Sequence, residues 1–187
     1  AMAKIRLNNI LVIDLEATCW ADKRPNMQHE IIEIGYCLIT NLVTNPSPVL
    51  TGGSIFVKPI NSDITPFCTA LTGIKAEQLT DAKNLEDALK ELEKMVKPLG
   101  LRNLAWASYG TYDKDQLERE AFSKGIEYPM CNRHLDVKLL ASLMKKNIDM
   151  PGMPSMLEQY GLKMIGRHHS GKDDAHNIAR LLMEILT

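Results

Sequence analysis

Asp14 and Glu16 stand two residues apart at the end of an apolar run, Asn9 to Leu15 (NILVIDL), that reads as a strand buried on both faces. Side chains two apart on a strand share a face, and Ile10 and Val12 have the same parity. That face is therefore apolar until two carboxylates emerge together at its end. Acids held so close repel and raise each other's pKa unless a cation lies between them, and a divalent metal is the natural reason for the pairing. The bland alternative is a strand that simply ends in two solvated acids.

Helical geometry picks out two more acids. A helix is predicted from Asp113 to Lys124, closed by Gly125. In it Asp113 shares a stripe with Leu117 and Ala121, whereas Asp115 lines up with Glu118 and Arg119. Asp113 thus faces inward, although an aspartate at a helix start also suits a cap. The last helix, predicted from about Asp173 to Leu186, turns Ile178, Leu181, Leu182 and Ile185 inward. Asp174 heads that stripe, while Asp173 lies with Asn177 and Arg180 on the polar side as a cap or surface acid. Three separate segments each present an inward carboxylate. His169 lies five residues before Asp174 in a loop containing Ser170 and Gly171. Imidazole accepts a proton near neutral pH and can activate a water at such a site. Nothing comparable surrounds His168, His29, His134 or His176.

Further elements must position these groups. Ile31 to Ile39 and Ser54 to Lys58 read as strands joined by a loop, Asn45 to Gly53, and with the first strand they suggest a meander. Leu85, Leu89, Leu92 and Val96 predict a helix between Asn84 and Pro98. Leu104 to Ala107 is a short strand, and a helix over 136–146 follows an extended stretch at His134-Leu135. Ser155 and Glu158 form a capping-box pattern that opens a short helix ended by Gly161. Without a repeat or linker, the expectation is one mixed-sheet α/β domain over residues 1–187, its core about 9–187.

At 187 residues, 45% hydrophobic and 24% charged, the chain has the make-up of an ordinary soluble domain. It has no apolar run of membrane length and no signal-peptide pattern, so a cytoplasmic location is expected; Ala1-Met2 has the form of an expression scar. Cys19, Cys37, Cys68 and Cys131 are widely spread, which argues against a structural zinc site and fits free thiols. A net charge of −1 excludes a general attraction for polyanions. Contact with nucleic acid must be local, at bound metal and at clusters such as Lys145-Lys146 or Arg167-His168-His169-Lys172, whose other reading is a solvated surface.

Asp14-Leu15-Glu16, the segment Tyr109 to Asp113 (YGTYD), and the segment His169 to Asp174 (HSGKDD) resemble, in order, the three exonuclease motifs of the DEDDh superfamily, which includes RNase T and polymerase proofreading subunits. The blocks IDLEATCW, HEIIEIG and LTGI (Leu71 to Ile74) are similar to the branch of histone-mRNA and interfering-RNA 3′-exonucleases. Gly171 stands where many relatives carry alanine, and Tyr112 where some of this branch carry tryptophan. The resemblance spans residues 9 to 187 and implies an RNase H-like fold, a five-stranded mixed sheet flanked by helices. It also implies a metal-dependent 3′-5′ exonuclease that cuts single-stranded nucleic acid with a free 3′ end, RNA in the first instance, into nucleoside 5′-monophosphates. Two divalent cations are implied, one held by Asp14, Glu16 and Asp174, the other by Asp14 and Asp113; hard carboxylate ligands suit magnesium or manganese. His169 would take the proton from the attacking water. The main chain at Ala17 and Thr18 would meet the terminal 3′-hydroxyl, Leu71 would wedge near the last base and Tyr112 would stack on one. Ordinary packing is the alternative for Leu71 and Tyr112. Rival readings are a DNA proofreading-type or small-oligonucleotide exonuclease with the same site, and a catalytically silent RNA-binding module, which would have no use for an uncompensated acid cluster beside a phosphate chain.

Overall fold

In the computed structural model the NILVIDL run is the central strand, β1 (Ile10–Ala17), and its Ile10, Leu11 and Val12 have no accessible surface. The structure describes residues 7–43 and 47–187, so Ala1-Met2 and the start of the expected Asn45 to Gly53 loop lie outside it. Both faces of β1 are covered because it has a neighbour on each edge and helices above and below. β2 (Ile31–Thr40) pairs with it antiparallel and β4 (Trp106–Ser108) parallel; β3 (Val49–Phe56) extends the sheet beyond β2 and β5 (His134–Asp136) beyond β4. The order is β3-β2-β1-β4-β5, a five-stranded mixed sheet as the resemblance implied.

Strand parity divides the core. Leu11, Ile13 and Leu15 join the layer that contains Leu85, Leu89 and Leu92 of α2 (Leu85–Met95) and Leu117 of α3 (Tyr112–Ser123). Ile10 and Val12 face the opposite layer, with Val137 of α4 (Val137–Met144), Met156 of α5 (Met153–Gln159) and Ile178, Leu181 and Leu182 of α6 (Gly171–Leu186). Asp14 and Glu16 share the parity of Ile10 and Val12. They therefore meet the start of α6.

What brings that helix so close is the absence of a side chain. Gly35 of β2 lies opposite Asp14 in the ladder, and a Cβ built on it would sit 1.9 Å from the carbonyl oxygen of Gly171. The helix is capped across the sheet as well: its N-cap Ser170 makes no side-chain bond, and the Glu33 carboxylate accepts from the Gly171 N–H at 2.6 Å. Burial of Ile178, Leu181 and Leu182, each about 1.5–3 kcal/mol, outweighs a single cap of about 1 kcal/mol. Packing thus holds the helix down and Glu33 sets where its first turn begins. Gly35→Ala is expected to cost at least the 1–3 kcal/mol typical of overpacking, roughly, and to loosen the site by pushing α6 off the sheet. Urea denaturation together with a divalent-cation titration checks this; an unchanged midpoint contradicts it.

Several expected boundaries move. β3 starts at Val49, so Thr51 to Gly53 are strand residues paired with β2 and the loop is shorter than the turn-rich composition suggested. Gly53 is there because a Cβ would come within 2.7 Å of the Tyr36 hydroxyl. β4 begins at Trp106, after a 3-10 turn at Leu101–Asn103. α5 starts at Met153 behind Gly152, which places Ser155 inside the helix; burial of Met153, Met156 and Leu157 sets that start, and no capping box forms. α1 (Pro66–Thr72), which buries only Cys68 and Thr72, went unread because so short an element carries no periodicity. All four cysteines are free. Among the described residues no helix is long and apolar enough to cross a membrane.

Candidate active site

The C-terminal end of β1 and the first turns of α3 and α6 converge on a cavity of about 400 Å³. Asp14, Glu16 and Asp174 each place a carboxylate oxygen within 4.8 Å of the others. Asp113 reaches the same cavity from α3, and its Oδ1 accepts from the Leu15 main-chain N–H at 2.8 Å. The bond fastens Asp113 to β1, so it is not a cap of its own helix. Asp115 is exposed, as its stripe indicated. Asp113→Asn is accordingly expected to lower turnover by at least roughly 10²-fold, the scale on which loss of one charge-stabilising group registers, and Asp115→Asn to leave it unchanged. Steady-state rates of the two variants decide the helical register; the reverse pattern would show it wrong.

Burial and mutual repulsion push every one of these acids toward the protonated form. Asp14 is raised well above its ordinary value, first by burial, then by Asp113, Glu16 and Asp174. Burial raises Glu16 to about 8, with Asp174 adding to it, and Asp113 to about 7. Asp174 is raised by burial despite hydrogen bonds that favour its charge. Oδ2 of Asp14 is buried without a hydrogen-bond partner. An unpaired carboxylate oxygen inside an acid cluster is costly unless a cation faces it. The donors are all hard oxygens, so the residues present fit magnesium or manganese.

Two histidines border the acids, not one. The ring of His169 makes no hydrogen bond among the described residues, while its main-chain N–H donates to Asp174 Oδ2 at 2.8 Å. His168, expected to be unremarkable, has its Nδ1 3.1 Å from the same oxygen, and the two rings lie 3.9 Å apart. His169 has a left-handed backbone, φ 64°, in the turn that presents both rings to the acids. Burial and then the neighbouring His168 lower the pKa of His169 from its ordinary 6.5. Asp173, expected as a cap or surface acid, does not cap the helix; from the surface side it accepts from the Arg167 N–H at 2.9 Å and pins the loop that carries both histidines.

Ala17, Thr18, Leu71 and Tyr112 all line the cavity. Thr18 has no accessible surface, its N–H donates to Glu30 and its hydroxyl accepts from the Glu30 N–H. Little of Thr18 beyond its carbonyl remains for a substrate, and that oxygen already has the His29 Nδ1 at 2.6 Å. Leu71 is 37% and Tyr112 52% exposed, so both stand at the rim rather than in the core. His29, Tyr109 and Lys138 were not foreseen as lining residues. His29 stacks on Trp20 with ring centroids 4.6 Å apart; the block HEIIEIG marked it, but nothing in its spacing showed where it pointed.

Comparison with known proteins agrees with this geometry. The family model described as Exonuclease (RNase_T) matches residues 11–182. A Homo sapiens protein described as 3′-5′ exoribonuclease 1 is 29% identical over 184 residues, 95% of this chain and 52% of the relative. The chain thus spans about half the length of the curated relatives of this kind. Among solved structures, one of histone mRNA stem-loop 3′-end recognition by a 3′-exonuclease superposes with a TM-score of 0.86 at 27% identity, over 98% of this chain and 83% of that one. The nuclease domain of 3′hExo, a DEDDh family member bound to rAMP, superposes with a TM-score of 0.84 at 28% identity, over 98% of this chain and 94% of that one. The fold is that of the RNase H-like exonucleases.

Proposed function

This chain belongs to the exonuclease family (RNase_T), and from that premise we propose that it hydrolyses single-stranded RNA stepwise from a free 3′ end, releasing nucleoside 5′-monophosphates. The observation that carries the reading is the convergence of four inward acids, with a partnerless oxygen on Asp14, beside a histidine whose ring is uncommitted. RNA is favoured over DNA by the relatives, described as exoribonucleases, and by the rAMP and histone mRNA named for the superposed structures.

In this reading Asp14, Glu16 and Asp174 would hold one divalent cation, and Asp14 with Asp113 the other. When bound, the pair of ions supplies Lewis-acid assistance to the attacking water and to the departing 3′-oxygen. The protein's own groups do the rest. His169 accepts the proton from the water, and its lowered pKa keeps the ring neutral and ready near pH 7. His168 holds Asp174 in orientation through its Nδ1 contact. The Ala17 main chain, which lines the cavity, would meet the terminal 3′-hydroxyl, as the resemblance implies. At the rim Leu71 and Tyr112 offer apolar surface to the last bases, and stacking of that kind contributes about 1–3 kcal/mol per base.

End-labelled single-stranded RNA, single-stranded DNA and duplexes incubated with magnesium, manganese or chelator test the proposal. The expected result is metal-dependent shortening from the 3′ end, fastest on single-stranded RNA. Internal fragments from a circular RNA, or full activity in chelator, would rule it out. Fastest cleavage of DNA would keep the nuclease and replace its substrate.

A further inference from the structure

Lys138, in the first turn of α4, is the one lysine or arginine among the residues lining the acid cavity. A lysine beside four carboxylates would ordinarily pair with one of them. Among the described residues Lys138 makes no ion pair and no hydrogen bond. Three other cations are occupied elsewhere: Lys114 pairs with Glu118, Lys124 with Glu30 and Glu120, and the Arg167 guanidinium donates to the carbonyls of Ala70 and Leu71. Asp136, the acid nearest Lys138 in sequence, is engaged too, accepting from the N–H groups of Gly110 and Leu139.

The lysine stem is placed rather than loose. Lys138 is half-buried, and its Cδ lies 3.9 Å from where a Cβ on Gly110 would be. Its stem therefore lies along the loop that leads to Asp113, and the residue forms part of the cavity lining. Position in the sheet gives a direction. Ala17 and Leu71 lie toward β2, since α1 packs beside Ile32 and its Cys68 contacts the Ala17 carbonyl. Lys138 follows β5, on the far side of β1 across β4. A strand whose 3′ end stops at Ala17 and whose scissile phosphate lies over the acids must continue toward Lys138.

We infer that Lys138 binds the phosphate one linkage upstream of the scissile one, a contact that rests on the nuclease reading above and on its 3′-to-5′ polarity. An unpaired lysine in the lining is then explained by a partner that arrives with the substrate, while the acids wait for metal. The lysine acts on binding rather than on the chemical step.

Two strands of the same sequence test this, one with an ordinary phosphodiester upstream of the scissile linkage and one with a neutral methylphosphonate there, placed after a 2′-deoxynucleotide that cannot attack it. The wild-type protein is expected to prefer the charged strand by roughly 10- to 100-fold in kcat/KM, the size of a charge-assisted hydrogen bond. Lys138→Gln should raise KM on the charged strand by about that factor with kcat little changed, and should add no loss on the neutral strand. Lys138→Arg should keep most of the preference. Equal losses on both strands, a change confined to kcat, or wild-type indifference to the neutral linkage would overturn the assignment. The last comparison needs no variant and stands even if Lys138→Gln folds poorly. Failure of the wild type to cut either strand in magnesium would instead sink the nuclease reading itself.

Discussion

Asp14→Asn is expected to abolish hydrolysis and, in chelator, to raise the thermal midpoint at neutral and alkaline pH. Both effects come from one carboxylate. The buried oxygen that has no hydrogen-bond partner is on Asp14, and the pKa of that carboxyl is raised by burial and by all three other acids. The pH dependence follows from the shifts. Below the ordinary value of Glu16, 4.5, folded and unfolded chains both hold its proton; between 4.5 and about 8 the folded chain retains a proton that the unfolded chain has released. Asp113 behaves alike between 3.8 and about 7. Protons bound preferentially by the folded state mean that stability falls as pH rises through this window, the reverse of a carboxylate in a salt bridge. Each unit of relief is worth about 1.4 kcal/mol, and no hydrogen bond to the orphan oxygen, about 1 kcal/mol, is lost in exchange. The wild-type midpoint in chelator should therefore decline with pH, the decline should be shallower in the variant, and magnesium should restore only the wild type. Melting curves in chelator and in magnesium at several pH values measure this. A markedly less stable variant in chelator would show that Asp14 holds the fold and not a cation.

The facing of the acids was legible because it depends on periods that the backbone does not let vary. Asp14 and Glu16 share a face with Ile10 and Val12 in any β1, and Asp113 and Asp174 follow Leu117 and Ile178 inward in any α-helix. Elements joined by long-range contacts were not legible in that way. Glu33 caps α6 from a strand 138 positions away, and Asp113 finds its partner on β1 at a separation of 98. The five-stranded sheet itself came through resemblance, and the extent of β3 was misread because glycines that make room for Tyr36 look like turn glycines. Lys138 lay within a predicted helix, but only the pairing of β5 with β4 brings the start of that helix to the cavity. Adjacent histidines were the hardest case. The turn that presents both rings includes a left-handed residue, and no spacing rule reports a loop dihedral.

His169→Ala is expected to lower the maximal rate by roughly the 10²–10⁴-fold typical of losing a general base, with metal affinity little changed. Its ring has no hydrogen-bond partner among the described residues, so removing it breaks no hydrogen bond to the acids and leaves the main-chain N–H bond to Asp174 in place. His168→Ala should act differently, because the His168 Nδ1 contacts Asp174. Loss of that one contact should weaken metal binding about tenfold or less, as for a single hydrogen bond of about 1 kcal/mol, and the maximal rate should recover at high magnesium. The pH profiles separate the roles further. A neutral imidazole is the active form, so the wild-type rate should fall as pH drops through a value below the ordinary 6.5 of histidine, held down by burial and by His168. His169→Ala should lose that acid limb. His168→Ala removes the neighbour that, after burial, holds the His169 pKa down, so the limb should persist and shift to higher pH. Rates, magnesium titrations and pH profiles of the two variants are the measurement. Equal damage from both substitutions with an unchanged acid limb would mean that the histidines order the loop over Asp174 and that another group takes the proton.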